Sequence, residues 1–155
     1  MLVLIEGNEG AGKTTLIKNL AQHLDFITVK YSKNMKDLNR LFDMCTRDKN
    51  IYVFDRGFIS DLVYRIYDGE PGHHTLSEIG ELCHYTKVIF CQNENAYEKA
   101  IARGEDNITN SVDHLFIESL FEDVIQMLKS FTRASVMYYD YDTDSINDVV
   151  KFIKK

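Results

Sequence analysis

Eight residues near the start of the chain carry its clearest chemical signal. Gly7-Asn8-Glu9-Gly10-Ala11-Gly12-Lys13-Thr14 has the spacing G-x-x-x-x-G-K-[ST]. Glycines so placed let successive backbone N–H groups turn inward around phosphate oxygens, and the start of a following helix adds the positive end of its dipole. Lys13 is then expected to reach the β- and γ-phosphates of a nucleotide, and Thr14 to hold Mg²⁺ through its hydroxyl. The cradle as a whole is expected to run from Gly7 through Asn8, Glu9, Gly10, Ala11, Gly12, Lys13 and Thr14 to Thr15. The plain alternative is a glycine-rich turn that binds nothing.

A second pair, Asp55-Arg56, closes another apolar run. A carboxylate at a strand end can act on Mg²⁺ or its waters, and a guanidinium beside it can clamp a phosphate through two parallel hydrogen bonds. The alternative here is a surface ion pair. The chain has no Asn-Lys-x-Asp segment of the kind that reads guanine, which argues against a GTPase.

These residues need a frame that brings them together. Leu2 to Ile5 is a short unbroken apolar run, as in a strand buried on both faces, and the glycine-rich turn follows it directly. From Lys13 the residues Leu16, Leu20, Ala21 and Leu24 recur at helical spacing. Further strands are expected at 26–29, 51–54, 87–91 and 134–139. Helices are expected around Met35–Cys45, Ile59–Ile66, Leu76–Cys83, Ala96–Ile101, Val112–Phe131 and Ser145–Ile153. Strands alternating with helices imply a three-layer α/β fold, a parallel sheet with its ligand at the C-terminal ends of the strands. Within the long helix, Glu118, Glu122 and Asp123 are read as a solvated face.

Composition bounds the partners. The chain has 155 residues and reads as one domain, 1–155. With 18 Lys and Arg against 24 Asp and Glu, its net charge is −6, a poor footprint for long nucleic acid. Three cysteines without a C-x-x-C pair suit a reducing compartment, and neither a basic leader nor a run of about 18 apolar residues is present. A cytoplasmic protein with no membrane partner is the expectation. His73-His74 and Cys83-His84 lack the paired short spacings of zinc ligands.

On these motifs the chain resembles, over nearly its full length, the thymidylate kinase and deoxynucleoside kinase group of P-loop kinases. Ile5 to Thr15 looks like the opening of bacterial thymidylate kinases, and Glu6-Gly7-Asn8 like that of deoxynucleoside kinases. Phe54 to Tyr64 is similar to the Asp-Arg segment of the first and the Glu-Arg-Ser segment of the second, while Ala100 to Glu105 looks like the start of a lid. The resemblance implies strand order 2-3-1-4-5, ATP as phosphoryl donor and Mg²⁺ as metal. It implies that Glu9 contacts the acceptor sugar, that Arg56 binds the acceptor phosphate, and that Arg103, in a short lid near 103–111, approaches the transferred phosphoryl. Phe42, with Arg40 or Arg47, is the candidate for stacking on the acceptor base and binding its phosphate. Relatives are commonly dimers, so a homodimer is open, and no dimer face is legible in the sequence.

The chain departs from thymidylate kinases after its second strand, where Val29-Lys30-Tyr31-Ser32-Lys33 replaces an Arg-Glu-Pro-Gly stretch. Deoxynucleoside kinases place a glutamate base there, and residues 31–36 contain no carboxylate. Residues 30–49 instead carry Lys30, Lys33, Lys36, Arg40, Arg47 and Lys49 against Asp37, Asp43 and Asp48, a local +3 that suits an acceptor bearing its own phosphate. The expected function is an ATP- and Mg²⁺-dependent deoxynucleoside monophosphate kinase with small nucleotides as partners, thymidylate foremost among acceptors. Lys13, Arg56, Arg103 and Asp55 would act on the reacting groups. A deoxynucleoside kinase, a kinase of DNA bases or 5′ ends, and a nucleotide-binding regulator without catalysis stay open.

Overall fold

The computed structural model describes residues 1–31, 37–104 and 110–155, and of Leu38 and Cys45 the backbone alone. Its sheet consists of β1 (Leu2–Glu6), β2 (Ile27–Val29), β3 (Tyr52–Asp55), β4 (Thr86–Cys91) and β5 (Ser135–Tyr139). Every pairing is parallel and the order is β2-β3-β1-β4-β5, as expected. Around it lie α1 (Lys13–Leu20), α2 (Leu38–Thr46), α3 (Phe58–Tyr67), α4 (Leu76–His84), α5 (Ala96–Ala102), α6 (Ser111–Phe131) and α7 (Ile146–Lys154).

The unbroken apolar run of β1 follows from its central place, where both faces of the strand are covered. Alternate side chains leave it on opposite sides. Leu2 and Leu4 join Phe54, Val88 and Phe90 under α3, α4 and α6, whereas Val3 and Ile5 join Val53 and Ile89 under α1 and α7. The register Leu4 to Phe54 and Leu4 to Val88 aligns the strand ends, so that Glu6, Asp55 and Cys91 finish on one edge. Local chemistry stops and starts the helices. Thr75 and Glu78 form a reciprocal capping box on α4, and Asn110 and Ser145 accept backbone N–H bonds at the starts of α6 and α7.

The long helix differs from its expected orientation at its first turns. Val112, Leu115 and Phe116, counted with the apolar face, are exposed, while His114, Ile117 and Phe121 are buried. Of the acids read as solvated, Asp123 is exposed, but Glu118 and Glu122 turn inward, Glu122 to Gln92, Gln126 and Tyr138. On this face a polar contact takes the place of an apolar one, the His114 ring bonding the Glu9 carbonyl and the His114 carbonyl accepting from Asn8. Among the described residues no helix is long and apolar enough to cross a membrane.

Candidate active site

The loop after β1 is built around three glycines with positive φ, Gly7, Gly10 and Gly12. Close approach adds to the conformational need at all three, Gly7 facing the carbonyl of Cys91. A side chain on Gly10 would strike the carbonyl of Ala96 on α5, and one on Gly12 would strike the ring of Tyr141, beyond β5. Tyr141 in turn carries Lys99 over its ring at 4.0 Å. Gly12 is the N-cap of α1 and offers no side-chain cap, which leaves the start of that helix to other partners.

Lys13 is buried and its ammonium curls beneath the loop, donating to the carbonyls of Gly7 at 2.9 Å and Asn8 at 2.5 Å. Burial, helped by the nearby Arg56 guanidinium, lowers its pKa from the usual lysine value, while Glu9 and Asp55 oppose that shift. Thr14 and Thr15 are exposed on the first turn of α1, and Asp55 is half-buried at the end of β3, beside the end of β1. A hydroxyl and a carboxylate flanking one phosphate loop are the hard oxygen donors that Mg²⁺ takes, so Thr14 and Asp55 fit that ion.

Arg56 is the residue the fold works hardest to place. It holds a left-handed backbone, φ 63, uncommon for a side chain other than glycine, and its N–H donates to the Ile5 carbonyl at 3.0 Å. From there its guanidinium pairs with the Glu9 carboxylate and lies 5.3 Å from the centre of the Tyr64 ring. Lys13, Glu9, Asp55 and Arg56 are thus brought together, from a loop and a strand end more than forty residues apart in sequence.

Other expected residues lie elsewhere. Phe42 packs edge-on against Tyr85, which precedes β4, at the N-terminal ends of the strands. There it lines a groove of about 880 Å³ with Leu76, Met127 and Phe131, away from the phosphate loop. Its helical spacing served the core. Arg40 is exposed with Arg47 and Lys49 around a shallow hollow that runs along α2 into the turn after it and includes no residue of the phosphate loop. Lys33 and Lys36 lie outside the described residues, as do residues 105–109 of the expected lid. Arg103 caps α5 through its backbone and its side chain is exposed.

The structure adds groups that motif reading passed over. Glu6, the last residue of β1, is fully buried at the start of α3, where it accepts hydrogen bonds from the Ser60 hydroxyl and, at 3.2 Å, the Ser60 N–H. Burial raises its pKa to about 7, against the pull of those bonds and of Arg56 and Lys13. On the β3 side of the loop, Tyr31 reaches His74 at 3.0 Å, and His73 is held by Asp61 at 2.9 Å and by Arg65 at 3.0 Å. Burial, with Asp61 and Glu6 nearby, pushes the Tyr31 phenol well above its ordinary pKa. The adjacent histidines are thereby engaged with α3 and Tyr31. Alternation in the sequence marks none of these contacts, because they join residues across the sheet edge.

On the β4 side, Asn8 donates to the His114 carbonyl at 2.8 Å, and His114 Nε2 lies 3.1 Å from the Glu9 carbonyl. Next to them is a hollow of about 480 Å³ bordered by Gln92, Tyr97, Glu118 and Asp140.

No protein-family profile matches the chain. A homologue of adenylate kinase isoenzyme 6 from Caenorhabditis elegans is 25% identical over 146 residues, covering 84% of this chain and 80% of that protein. The YorR protein of Bacillus subtilis, solved in complex with phosphorylated GDP, superposes with a TM-score of 0.68 at 19% identity, over 99% of this chain and 94% of its own. Deoxyadenosine kinase from M. mycoides with bound dCTP does so with a TM-score of 0.65 at 16% identity, over 99% of both chains. With its 2-3-1-4-5 parallel sheet and its phosphate loop between β1 and α1, the chain has the P-loop kinase fold.

Proposed function

We propose that the chain is a nucleotide kinase that moves the γ-phosphoryl of ATP, with Mg²⁺, to a deoxynucleoside monophosphate such as thymidylate. The observation that carries the reading is the meeting of Arg56 with Glu9 beside the buried Lys13. Phosphoryl transfer passes through a loose, highly charged transition state, so catalysis consists of placing reactants and matching charge. Lys13 supplies positive charge on the donor side, in a buried setting where charge acts strongly. Arg56, aimed by Glu9 and Tyr64, supplies it on the β3 side, where an acceptor phosphate would exchange places with the Glu9 carboxylate. Mg²⁺ on Thr14 and Asp55 would draw charge from the phosphate oxygens when bound. Arg103 would complete the charge from the lid.

A nucleoside kinase is the second reading. It is favoured by the placement of Arg40, Arg47 and Lys49 around a separate hollow, while on the β3 side of the loop Arg56 and Arg65 are each already paired with a carboxylate. ATP consumption measured across purified nucleosides and monophosphates separates the two. Turnover with thymidylate or another monophosphate, abolished in Lys13→Ala, supports the first reading. Turnover with a nucleoside and with no monophosphate overturns it in favour of the second.

A further inference from the structure

The phosphate loop is gripped from its β4 side by a helix to which the proposed chemistry assigns no part. Asn8 is fully buried: its amide nitrogen donates to the His114 carbonyl at 2.8 Å, its amide oxygen accepts from the Glu9 N–H at 2.9 Å, and its amide also bonds the Glu118 carboxylate of the same helix. His114 returns the contact. Its ring is buried, with Nε2 3.1 Å from the Glu9 carbonyl and the ring of Tyr97 set edgewise at 5.5 Å. A carbonyl only accepts, so the ring carries a proton on Nε2 and donates it. Glu9 is therefore held at its N–H by Asn8, at its carbonyl by His114 and at its carboxylate by Arg56.

We infer that His114 is a positioning residue for phosphoryl transfer. It fixes the crest of the loop so that the Glu9 carboxylate meets Arg56, and it ties that geometry to the place of α6. The inference rests on the kinase reading for its catalytic consequence, though not for its structural one. His114 lies in the first turn of α6, just beyond the segment expected to form the lid. Any displacement of that helix would be passed to Glu9 through two hydrogen bonds, and a shift of about 1 Å in a reacting group can cost about a hundredfold in rate. The contact acts on Glu9 directly and on the rest of the cradle and Lys13 only through the backbone of Asn8 and Glu9, so the effect on turnover should fall on the acceptor more than on ATP.

His114→Gln and His114→Asn test this as a pair. Both are uncharged amides, but only the glutamine amide reaches as far as Nε2, so only it keeps the donor to the Glu9 carbonyl. Expected for His114→Asn is a roughly 10- to 100-fold loss in kcat/KM for the acceptor, with the KM for ATP within about threefold. His114→Gln should recover most of that loss. In a Glu9→Gln background the asparagine change should add less than about twofold, because its route runs through Glu9. Equal losses in both variants, or losses that multiply with Glu9→Gln, overturn the inference. Hydrogen exchange of the Glu9 to Gly12 amides gives a readout that needs no turnover. Faster exchange in His114→Asn, restored in His114→Gln, supports the grip, and unchanged exchange in both refutes it. If the wild-type protein transfers phosphoryl to no acceptor, the kinase reading fails while the exchange result still decides the grip.

Discussion

Glu6→Gln should change how the stability of the protein depends on pH. Glu6 is wholly buried at the end of β1, and one of its oxygens, Oε1, meets no hydrogen-bond donor among the described residues. Burial raises the carboxyl from 4.5 to about 7, outweighing the Ser60 bonds and the Arg56 and Lys13 charges. An acid with a raised folded pKa holds its proton more tightly folded than unfolded. Its stabilising contribution is fully present below about pH 4.5 and is lost as pH climbs through 7. A difference of about 2.5 pH units corresponds to about 3 kcal/mol. Glutamine keeps an oxygen that accepts from Ser60 and carries no charge at any pH. The variant should therefore gain on the wild type progressively between pH 4.5 and 8, by about 3 kcal/mol in all, and the difference should be flat above pH 8. For a chain of this size that is roughly 6–12 °C in Tm. Urea unfolding at fixed ionic strength from pH 4.5 to 9, with equal m-values, measures it. A difference that ignores pH, or that narrows as pH rises, refutes the reasoning.

Other perturbations follow from the same geometry. Lys13→Ala should remove the thermal stabilisation given by saturating ATP and lower transfer by roughly a thousandfold or more, both read on folded protein. Gly10→Ala places a side chain on a residue with φ 75 and against the Ala96 carbonyl; it should cost more than about 1 kcal/mol in urea unfolding and weaken ATP binding measured by calorimetry. Phe42→Leu should lower stability by about 1 kcal/mol through its lost contact with Tyr85 while leaving the KM for the acceptor unchanged; a large KM change would return Phe42 to the acceptor site.

The strands, helices and phosphate loop were legible because each is local. β1 declares itself by an unbroken apolar run, and the loop by spacing that only a phosphate cradle requires. The site was legible in part. Lys13, Glu9, Asp55 and Arg56 stand on motifs and come together as their positions imply. Phe42 misled because stacking and core packing share one helical period, and only the position of Tyr85 tells them apart. The +3 of residues 30–49 is located only in part: charge counted along the chain does not say where Arg40, Arg47 and Lys49 gather, and Lys33 and Lys36 lie outside the described residues. Glu6 and Ser60 enter the sequence reading only as members of resembling segments, with no role of their own, and His114 does not enter it at all. Glu6 reads as the polar end of a strand and His114 as one residue of an amphipathic helix, and their importance exists only where β1, α3 and α6 converge.

The central claim, that this loop and Arg56 carry phosphoryl transfer to a nucleotide, is tested most directly with γ-labelled ATP, Mg²⁺ and a set of deoxynucleoside monophosphates, by chromatography of the products. The account predicts label in a nucleoside diphosphate, lost in Lys13→Ala and strongly reduced in Arg56→Lys, since an ammonium cannot replace the two-pronged guanidinium. Label that stays in ATP or appears only as free phosphate with every acceptor, while the protein still binds ATP, would contradict it.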